Sequence, residues 1–229
     1  MGDSSVRRSA MPGIPEELAG ILDSRGFADD HALAEFLNRT ALLSRSPFSL
    51  PGMEAAVDRL RRAVDGNERI MIFSDSDLDG LSSLAIMRSL LDRINAPYLH
   101  DFTTGDETFG VMPRVVDRAI AEEVRLFITM DCGIRDNDEI ARLRERGIDV
   151  IVTDHHEPGD ALPDAVIVNP KIGEAASPHR PLAGCGVVML FALAYLYSYL
   201  PVYKRSVVLA DASEMELFRN MCATGQTVT

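Results

Sequence analysis

The sequence predicts an α/β fold: a mainly parallel, doubly wound sheet of about five strands, with helices on both faces and a helical preface at the N-terminus. Short apolar runs typical of strands occur near residues 69–74, 97–102, 125–130, 148–153 and 165–168. Segments with helical spacing, near 81–94, 112–122 and 136–146, separate the first four runs. Strands that alternate with helices are joined by crossovers, which makes neighbouring strands parallel.

The region before the first strand is predicted to be helical. We expect a flexible tail over residues 1–13 and a helical preface over 14–50, in which Pro15 begins a short helix and a second follows from Asp30 to Asn38. Apolar residues then recur at helical spacing from Gly52 until Gly66, which suits a helix end. The main domain is therefore expected over 51–229.

One long apolar segment needs its own interpretation. Leu182 to Leu200 contains no charged residue over nineteen positions, a length that can cross a bilayer. Glycines, a serine and three tyrosines dilute its hydropathy, and a helix buried in an α/β core has the same pattern. We predict a buried helix and no membrane association.

The composition limits the choice of partners and compartment. The chain has 229 residues, of which 46% are hydrophobic, and 23 basic against 35 acidic residues give a net charge of −12. This balance argues against broad adhesion to nucleic acid and leaves room only for a local basic patch. Three cysteines without metal-type spacing and an N-terminus without a signal peptide predict a cytoplasmic protein.

Acidic side chains follow three of the predicted strands. Asp75, Asp77 and Asp79 alternate as the first strand runs into Gly80, and Asp131 follows a later strand. The sequence Asp154-His155-His156 follows the next. Because the carboxyl ends of parallel strands share one edge of a sheet, these groups are expected to meet in an α/β active site.

Four other interpretations fit these residues less well. An EF-hand needs a preceding helix and a glutamate where Ile86 stands. A haloacid-dehalogenase-type nucleophile motif needs Thr or Val where Leu81 stands, and a lysine followed by an acidic pair. Helix capping explains one aspartate but not three mutually repelling ones. Cys132, as a nucleophile with His155 as its base, is better explained as packing beneath the site.

Hard carboxylates with a minority of imidazole favour manganese or magnesium over zinc. Two such ions would activate a water molecule and stabilise charge on a phosphoryl group. Hydrolysis of a phosphate ester is therefore the leading chemistry.

Together, Asp-Ser-Asp-Leu-Asp-Gly80, Met-Asp-Cys-Gly-Ile134 and Val-Thr-Asp-His-His-Glu157 resemble motifs I to III of the DHH phosphoesterases, and most closely those of the RecJ-type single-strand-specific exonucleases. The resemblance covers roughly residues 45 to 229. Supporting matches are Leu50-Pro-Gly-Met53, Ile167-Val-Asn-Pro-Lys171 and Leu182-Ala-Gly-Cys-Gly-Val187.

The resemblance implies roles for individual residues. Asp75 and Asp77 would bind one metal ion, Asp79 and His155 the other, and Asp131 would bridge them. His156 would contact the scissile phosphate and Asp154 would orient the histidines. Weaker substrate contacts are implied for Asn169, Lys171, Gly184 and Gly186.

The sequence departs from the family pattern in two places. The family's Pro-x-Arg and Gly-Tyr-Gly elements are replaced by the arginine-free, acid-rich segment from Asp101 to Gly110. The segment Ala223 to Thr229 resembles the approach to motif IV, whose metal-binding aspartate would come next. We expect, from this, a weakly active fragment without the C-terminal clamp domain of the family.

The resemblance therefore implies two-metal hydrolysis of single-stranded DNA in repair and recombination. Two alternatives remain: a phosphoesterase for short oligonucleotides, cyclic dinucleotides or another small phosphate ester, and a catalytically silent metal-binding scaffold.

Overall fold

In the computed structural model, the described residues are 46–104, 107, 109–173 and 179–199, with five more between 18 and 25. One unit of the chain spans Ser46–Val208, and the other combines Met1–Arg45 with Leu209–Thr229. Of the latter, helical conformation is described for residues 18, 21, 22 and 24. The helix expected over Asp30 to Asn38 and the segment from Ala223 lie outside the described residues. The domain limits stay a prediction.

The described part of Ser46–Val208 forms the predicted α/β sheet. Its five strands are β1 (Ile70–Ser74), β2 (Tyr98–Phe102), β3 (Leu126–Met130), β4 (Asp149–Thr153) and β5 (Val166–Val168). They lie in the order β2-β1-β3-β4-β5, and every pair is parallel. β1 and β3 are buried along their whole length, as central strands covered on both faces must be.

Helices cover both faces of this sheet. In chain order they are α1 (Met53–Asp65), α2 (Leu78–Arg93), α3 (Pro113–Ala121), α4 (Asn137–Glu145) and α5 (Gly184–Tyr197), preceded by a 3₁₀ turn at Pro47–Ser49. Helices α3 and α4 pack together over one face of the sheet, on a core that includes Phe73 and Phe127 with their rings stacked 6.4 Å apart. Helices α1 and α2 both pack against α5 in the other layer. This division is the one that the general rule of right-handed crossovers between parallel strands predicts.

Helix α2, which follows β1, begins earlier than the sequence indicates. We predicted a start near residue 81, but α2 begins at Leu78 because the Asp77 side chain accepts the Gly80 N–H at 2.9 Å. A Cβ at position 80 would lie 2.4 Å from the Asp75 carbonyl oxygen. Glycine is therefore required where the helix passes close to the end of the strand.

The apolar segment forms α5, whose fourteen residues are largely buried. The phenol of Tyr195 donates to or accepts from that of Tyr199 at 2.9 Å, so its polar end is satisfied. Within the part of the chain that is described, no helix has both the length and the hydropathy needed to cross a bilayer.

The strand register places three acidic residues side by side at the carboxyl edge of the sheet. Ser74 pairs with Met130, and Met130 with Thr153. The next residues along these three strands are Asp75, Asp131 and Asp154, which therefore leave the sheet side by side. The strand order reverses at β1, because β2 lies on one side of it and β3 on the other, and the gap at such a switch point is where open α/β sheets bind their ligands.

Candidate metal centre

Asp131 lies at the centre of the acidic edge. It adopts a left-handed backbone conformation, with φ 61°, and its N–H donates to the Thr153 carbonyl oxygen at 2.8 Å. The residue is only 1% exposed, and among the described residues its Oδ1 has no hydrogen-bond partner. Burial, followed by repulsion from Asp79 and Asp77, raises the pKa of Asp131 to about 8.

His155 presents its Nε2 ring nitrogen to Asp131. Its Nδ1 lies 3.0 Å from the Leu182 carbonyl oxygen, which can only accept, so this nitrogen carries the proton. The other nitrogen, Nε2, lies 3.2 Å from Asp131 Oδ1 and 3.6 Å from Asp79 Oδ2. A lone pair facing two carboxylate oxygens is unfavourable unless a cation or a proton lies between them. The arrangement is that of a metal ligand held by a backbone carbonyl.

Asp79 is fixed by the N-terminus of α5. Its two oxygens accept the N–H groups of Gly184, at 2.8 Å, and Cys185, at 2.7 Å. Burial opposes ionisation of Asp79, but hydrogen bonds from the N–H and the thiol of Cys185 and from the Gly184 N–H outweigh it and keep the pKa below its ordinary value. A Cβ on Gly184 would lie 2.3 Å from Asp131 Oδ1, so only glycine allows the helix to approach both carboxylates.

Asp75 and Asp77 lie in the turn between β1 and α2. Asp75 Oδ1 accepts the N–H of Ser76 and, at 3.2 Å, the hydroxyl of Thr103. Asp77 caps α2, which leaves its second carboxylate oxygen available in principle to an ion. The turn joins a strand to a helix, so the EF-hand interpretation is excluded.

Asp154 organises the two histidines. Its buried carboxylate accepts the N–H groups of Ile134 at 3.1 Å, His155 at 2.7 Å and His156 at 3.1 Å. The same carboxylate accepts the His156 Nδ1 proton at 2.7 Å. These four donors fix the His156 ring and the backbone of both histidines, while the orienting role of Asp154 stays a prediction. Asp131, His155 and His156 together could hold an ion, since one ligand atom of each lies within 4.8 Å of the others.

The weaker predicted contacts are tied into the protein itself. The Asn169 amide donates to the His156 carbonyl oxygen at 3.0 Å and accepts the Lys171 N–H at 2.8 Å. The Gly184 N–H is already donated to Asp79. A Cβ on Gly186 would meet only the end of the Leu182 side chain, at 3.1 Å. Substrate contacts by these groups, and by the Lys171 ammonium, stay predictions.

Burial, followed by repulsion from Asp154, raises the pKa of the Cys132 thiol well above its usual range. The thiol is therefore protonated and unreactive, in agreement with packing.

Sequence reasoning missed several neighbours of the site. Nothing in the motif from Leu182 to Val187 indicates that the Leu182 carbonyl accepts the His155 Nδ1 proton. The ring of Phe109 stands edge-on to that of His156, with centroids 4.9 Å apart.

Asp101 binds Arg114 at 3.0 Å and Arg118 at 2.7 Å. The acid-rich composition of 101–110, together with two arginines one turn apart on the next helix, is the signal that could have suggested these pairs.

Comparison with known proteins identifies the same family as the sequence motifs. Residues 69–213, well over half of the chain, match the N-terminal domain of the DHH family. The single-stranded-DNA-specific exonuclease RecJ of Bacillus subtilis is 38% identical over 184 residues, covering 78% of this chain and 23% of that protein. RecJ of Escherichia coli is 41% identical over 152 residues, covering 63% of this chain and 26% of that protein.

Two solved structures are similar as well. A manganese-bound exonuclease RecJ matches with a TM-score of 0.61 at 33% identity, over 66% of this chain and 39% of the other. RecJ from Thermus thermophilus in complex with Mn²⁺ matches with a TM-score of 0.57 at 32% identity, over 66% of this chain and 21% of the other. The chain thus spans about a quarter of the length of the RecJ sequences it matches. It belongs to the DHH family, and its domain is of the RecJ type.

Proposed function

We propose that this chain is the phosphoesterase domain of a RecJ-like exonuclease, which hydrolyses phosphodiester bonds of single-stranded DNA with Mn²⁺ or Mg²⁺. The observation that carries the proposal is the 3.2 Å approach of His155 Nε2 to the buried Asp131 Oδ1. The names of its relatives and the manganese in two similar structures support it. A cytoplasmic role in DNA repair and recombination belongs to the same proposal, and the free Cys132 and Cys185 suit a reducing compartment.

We assign Asp75 and Asp77 to one ion, Asp79 and His155 to a second, and Asp131 to both. Carboxylate oxygens with one imidazole form a donor set that suits manganese or magnesium. A cation here would also relieve the repulsion that raises the pKa of Asp131.

When bound, such ions activate a water molecule and stabilise negative charge on the phosphoryl group. The chain's own residues orient the substrate. Asp154 accepts the Nδ1 proton of His156 and so fixes the orientation of this ring, whose Nε2 is left to contact the scissile phosphate. The carboxylate of Asp154 thereby acts through His156 rather than on the substrate.

Manganese titration by calorimetry, combined with a single-turnover nuclease assay, tests the proposal. We expect the chain to bind Mn²⁺, to lose this binding in Asp131→Asn, and to retain it in Asp117→Asn, which changes an exposed aspartate paired with Arg142. Manganese-dependent cleavage should be faster on a single strand than on a duplex. Manganese binding that is absent, or indifferent to Asp131, would instead support the silent scaffold.

A second candidate is hydrolysis of a short oligonucleotide or another small phosphate ester. It is favoured by the ion pairs of Asp101 and Glu107, which neutralise Arg114 and Arg118 near the centre and withhold them from a long polyanion. Rates on a long single strand and on a dinucleotide separate the two candidates. Faster turnover of the dinucleotide would favour the second.

A further inference from the structure

Three cationic side chains converge on Glu157, the residue that follows the two histidines. Lys171 Nζ lies 3.5 Å and Arg180 Nη2 lies 3.6 Å from Glu157 Oε1. Arg135 Nε donates to the Glu157 carbonyl oxygen at 2.8 Å. We call these four residues the Glu157 cluster. They come from separate segments of the chain, so only the folded domain brings them together.

The two side-chain pairs of Glu157 are loose. Every other pair of an arginine with a carboxylate in the described segments is 3.4 Å or shorter. Strong charge-assisted hydrogen bonds are about 2.7–2.9 Å long, and the Glu157 side chain is 57% exposed. An exposed pair of this length contributes little stability, so another anion can replace the carboxylate at small cost.

The Glu157 cluster is attached rigidly to the candidate metal centre. The Asn169 amide joins the His156 carbonyl oxygen to the Lys171 N–H, which fixes the backbone of Lys171 relative to His156. Arg135 directly follows Ile134, whose N–H donates to Asp154. The cations therefore lie on the loops that position the histidines.

We propose that Lys171 and Arg180 bind internucleotide phosphates of the single strand beyond the scissile bond, and that Glu157 is an internal counter-ion which the strand displaces. This inference rests on the proposed function and names where the rest of the substrate lies. A chain of net charge −12 repels a polyanion, so it needs local cations beside the centre. Glu157 neutralises those cations until a run of phosphates replaces it. A terminal monophosphate offers the same chemistry, and the experiment separates the two.

The test measures binding of a fluorescent twelve-residue phosphorothioate oligothymidylate, which resists hydrolysis, in Mn²⁺ at several salt concentrations. In Lys171→Gln/Arg180→Gln we expect affinity to fall roughly tenfold, the size expected for two exposed charge contacts. The slope of log affinity against log salt should fall by about 1.4, or about 0.7 for each phosphate that is no longer neutralised. Arg142→Gln, which breaks the ion pair with Asp117, is the matched control and should change neither quantity.

Glu157→Gln is expected to change the affinity for the oligonucleotide in the opposite direction. We expect roughly threefold tighter binding in the parent chain, from the loss of one exposed ion pair, and no gain once Lys171 and Arg180 are both replaced. Asp117→Asn controls for a simple change in net charge. Equal gains from Glu157→Gln in both backgrounds, or from Asp117→Asn, would overturn the counter-ion role.

Further measurements distinguish internucleotide from terminal phosphate binding, and failure of this inference from failure of the proposed function. Loss of affinity only for strands with a 5′-phosphate would assign the cations to the terminal phosphate and refute the internucleotide assignment. If the parent chain cleaves single strands while this variant binds them with unchanged affinity and slope, the cluster inference fails and the proposed function stands. If the parent neither binds nor cleaves them, both fail.

Discussion

At the scale of single residues, Asp131 and His155 determine the chemistry. Asp131 is buried, leaves the sheet in a left-handed conformation, and faces a histidine nitrogen whose tautomer is set by Leu182. Neither residue is stable in this geometry without a positive charge between them. In the absence of an ion a proton can take that place, since burial and then repulsion from Asp79 and Asp77 raise the pKa of Asp131 to about 8.

Asp131→Asn is predicted to remove a pH dependence of stability. Since the folded pKa of Asp131 is raised to about 8 from 3.8, the metal-free folded state keeps a proton that the unfolded state releases. The free energy of unfolding should therefore decrease as pH rises from about 4 to about 8. Thermal melts in chelator should show no difference between variant and parent near pH 4, and a higher Tm for the variant by an amount that grows as pH rises to about 8. Parallel pH profiles would contradict this, and Asp117→Asn is the control.

Separate substitutions of the two histidines are predicted to affect different steps, namely metal binding for His155 and cleavage of the substrate for His156. His155→Gln should lower manganese affinity at least about tenfold, because Nε2 is lost from the acidic edge. His156→Gln should leave that affinity within about twofold but lower the single-turnover cleavage rate about 100-fold, the usual effect of losing a proton donor. Calorimetry and rapid-quench assays measure both. Equal losses of metal affinity would identify His156 as a third ligand, which the 4.8 Å grouping allows.

At the scale of elements, the sequence predicted the strands well but not how loops and helix ends close the site. The apolar runs in the sequence located β1, β3 and β4 to within one residue, because strands that are buried on both faces consist of continuous apolar residues. The contacts of the α5 N-terminus and the Leu182 carbonyl depend on backbone groups, which are the same in every residue and leave little trace in sequence. Accordingly, nothing in the sequence indicates that the Gly184 N–H bonds Asp79, and the substrate contact that the family resemblance implies for Gly184 stays a prediction.

Gly184→Ala is predicted to disrupt the centre from within a helix. Its Cβ would lie 2.3 Å from Asp131 Oδ1 and 2.6 Å from Cγ, so the carboxylate or the helix must move. We expect manganese affinity to fall about 10- to 100-fold, as for other disturbances of groups that support metal ligands. Gly186→Ala is the control, since it lies in the same helix and meets only the flexible end of Leu182. Similar affinities in the two variants would show that close approach at Gly184 is unimportant.

At the scale of the whole molecule, charge is separated along the sheet. Seven carboxyl and imidazole side chains gather at the carboxyl ends of β1, β3 and β4, namely Asp75, Asp77, Asp79, Asp131, Asp154, His155 and His156. At the opposite end, Arg59 bonds Glu68 and Asp149, each at 2.6 Å. Anions there are neutralised by arginine, whereas those at the carboxyl ends lack enough cations of their own. A bound ion should therefore stabilise the entire domain.

Manganese is predicted to raise Tm, and to raise it more at pH 8 than at pH 6. Binding at a hundredfold excess over Kd adds about 2.7 kcal/mol, which corresponds to roughly 5–10 °C for a domain of this size. At pH 6 a proton competes for Asp131, whose pKa is about 8, and lowers affinity up to about 100-fold. Scanning calorimetry at fixed manganese concentration should therefore show most of the shift disappear at the lower pH and return when pH is restored. In Asp131→Asn the shift should be small at both values, because both the ligand and the competing proton are gone. A shift of equal size at both pH values in the parent would mean that the ion does not displace a proton from Asp131.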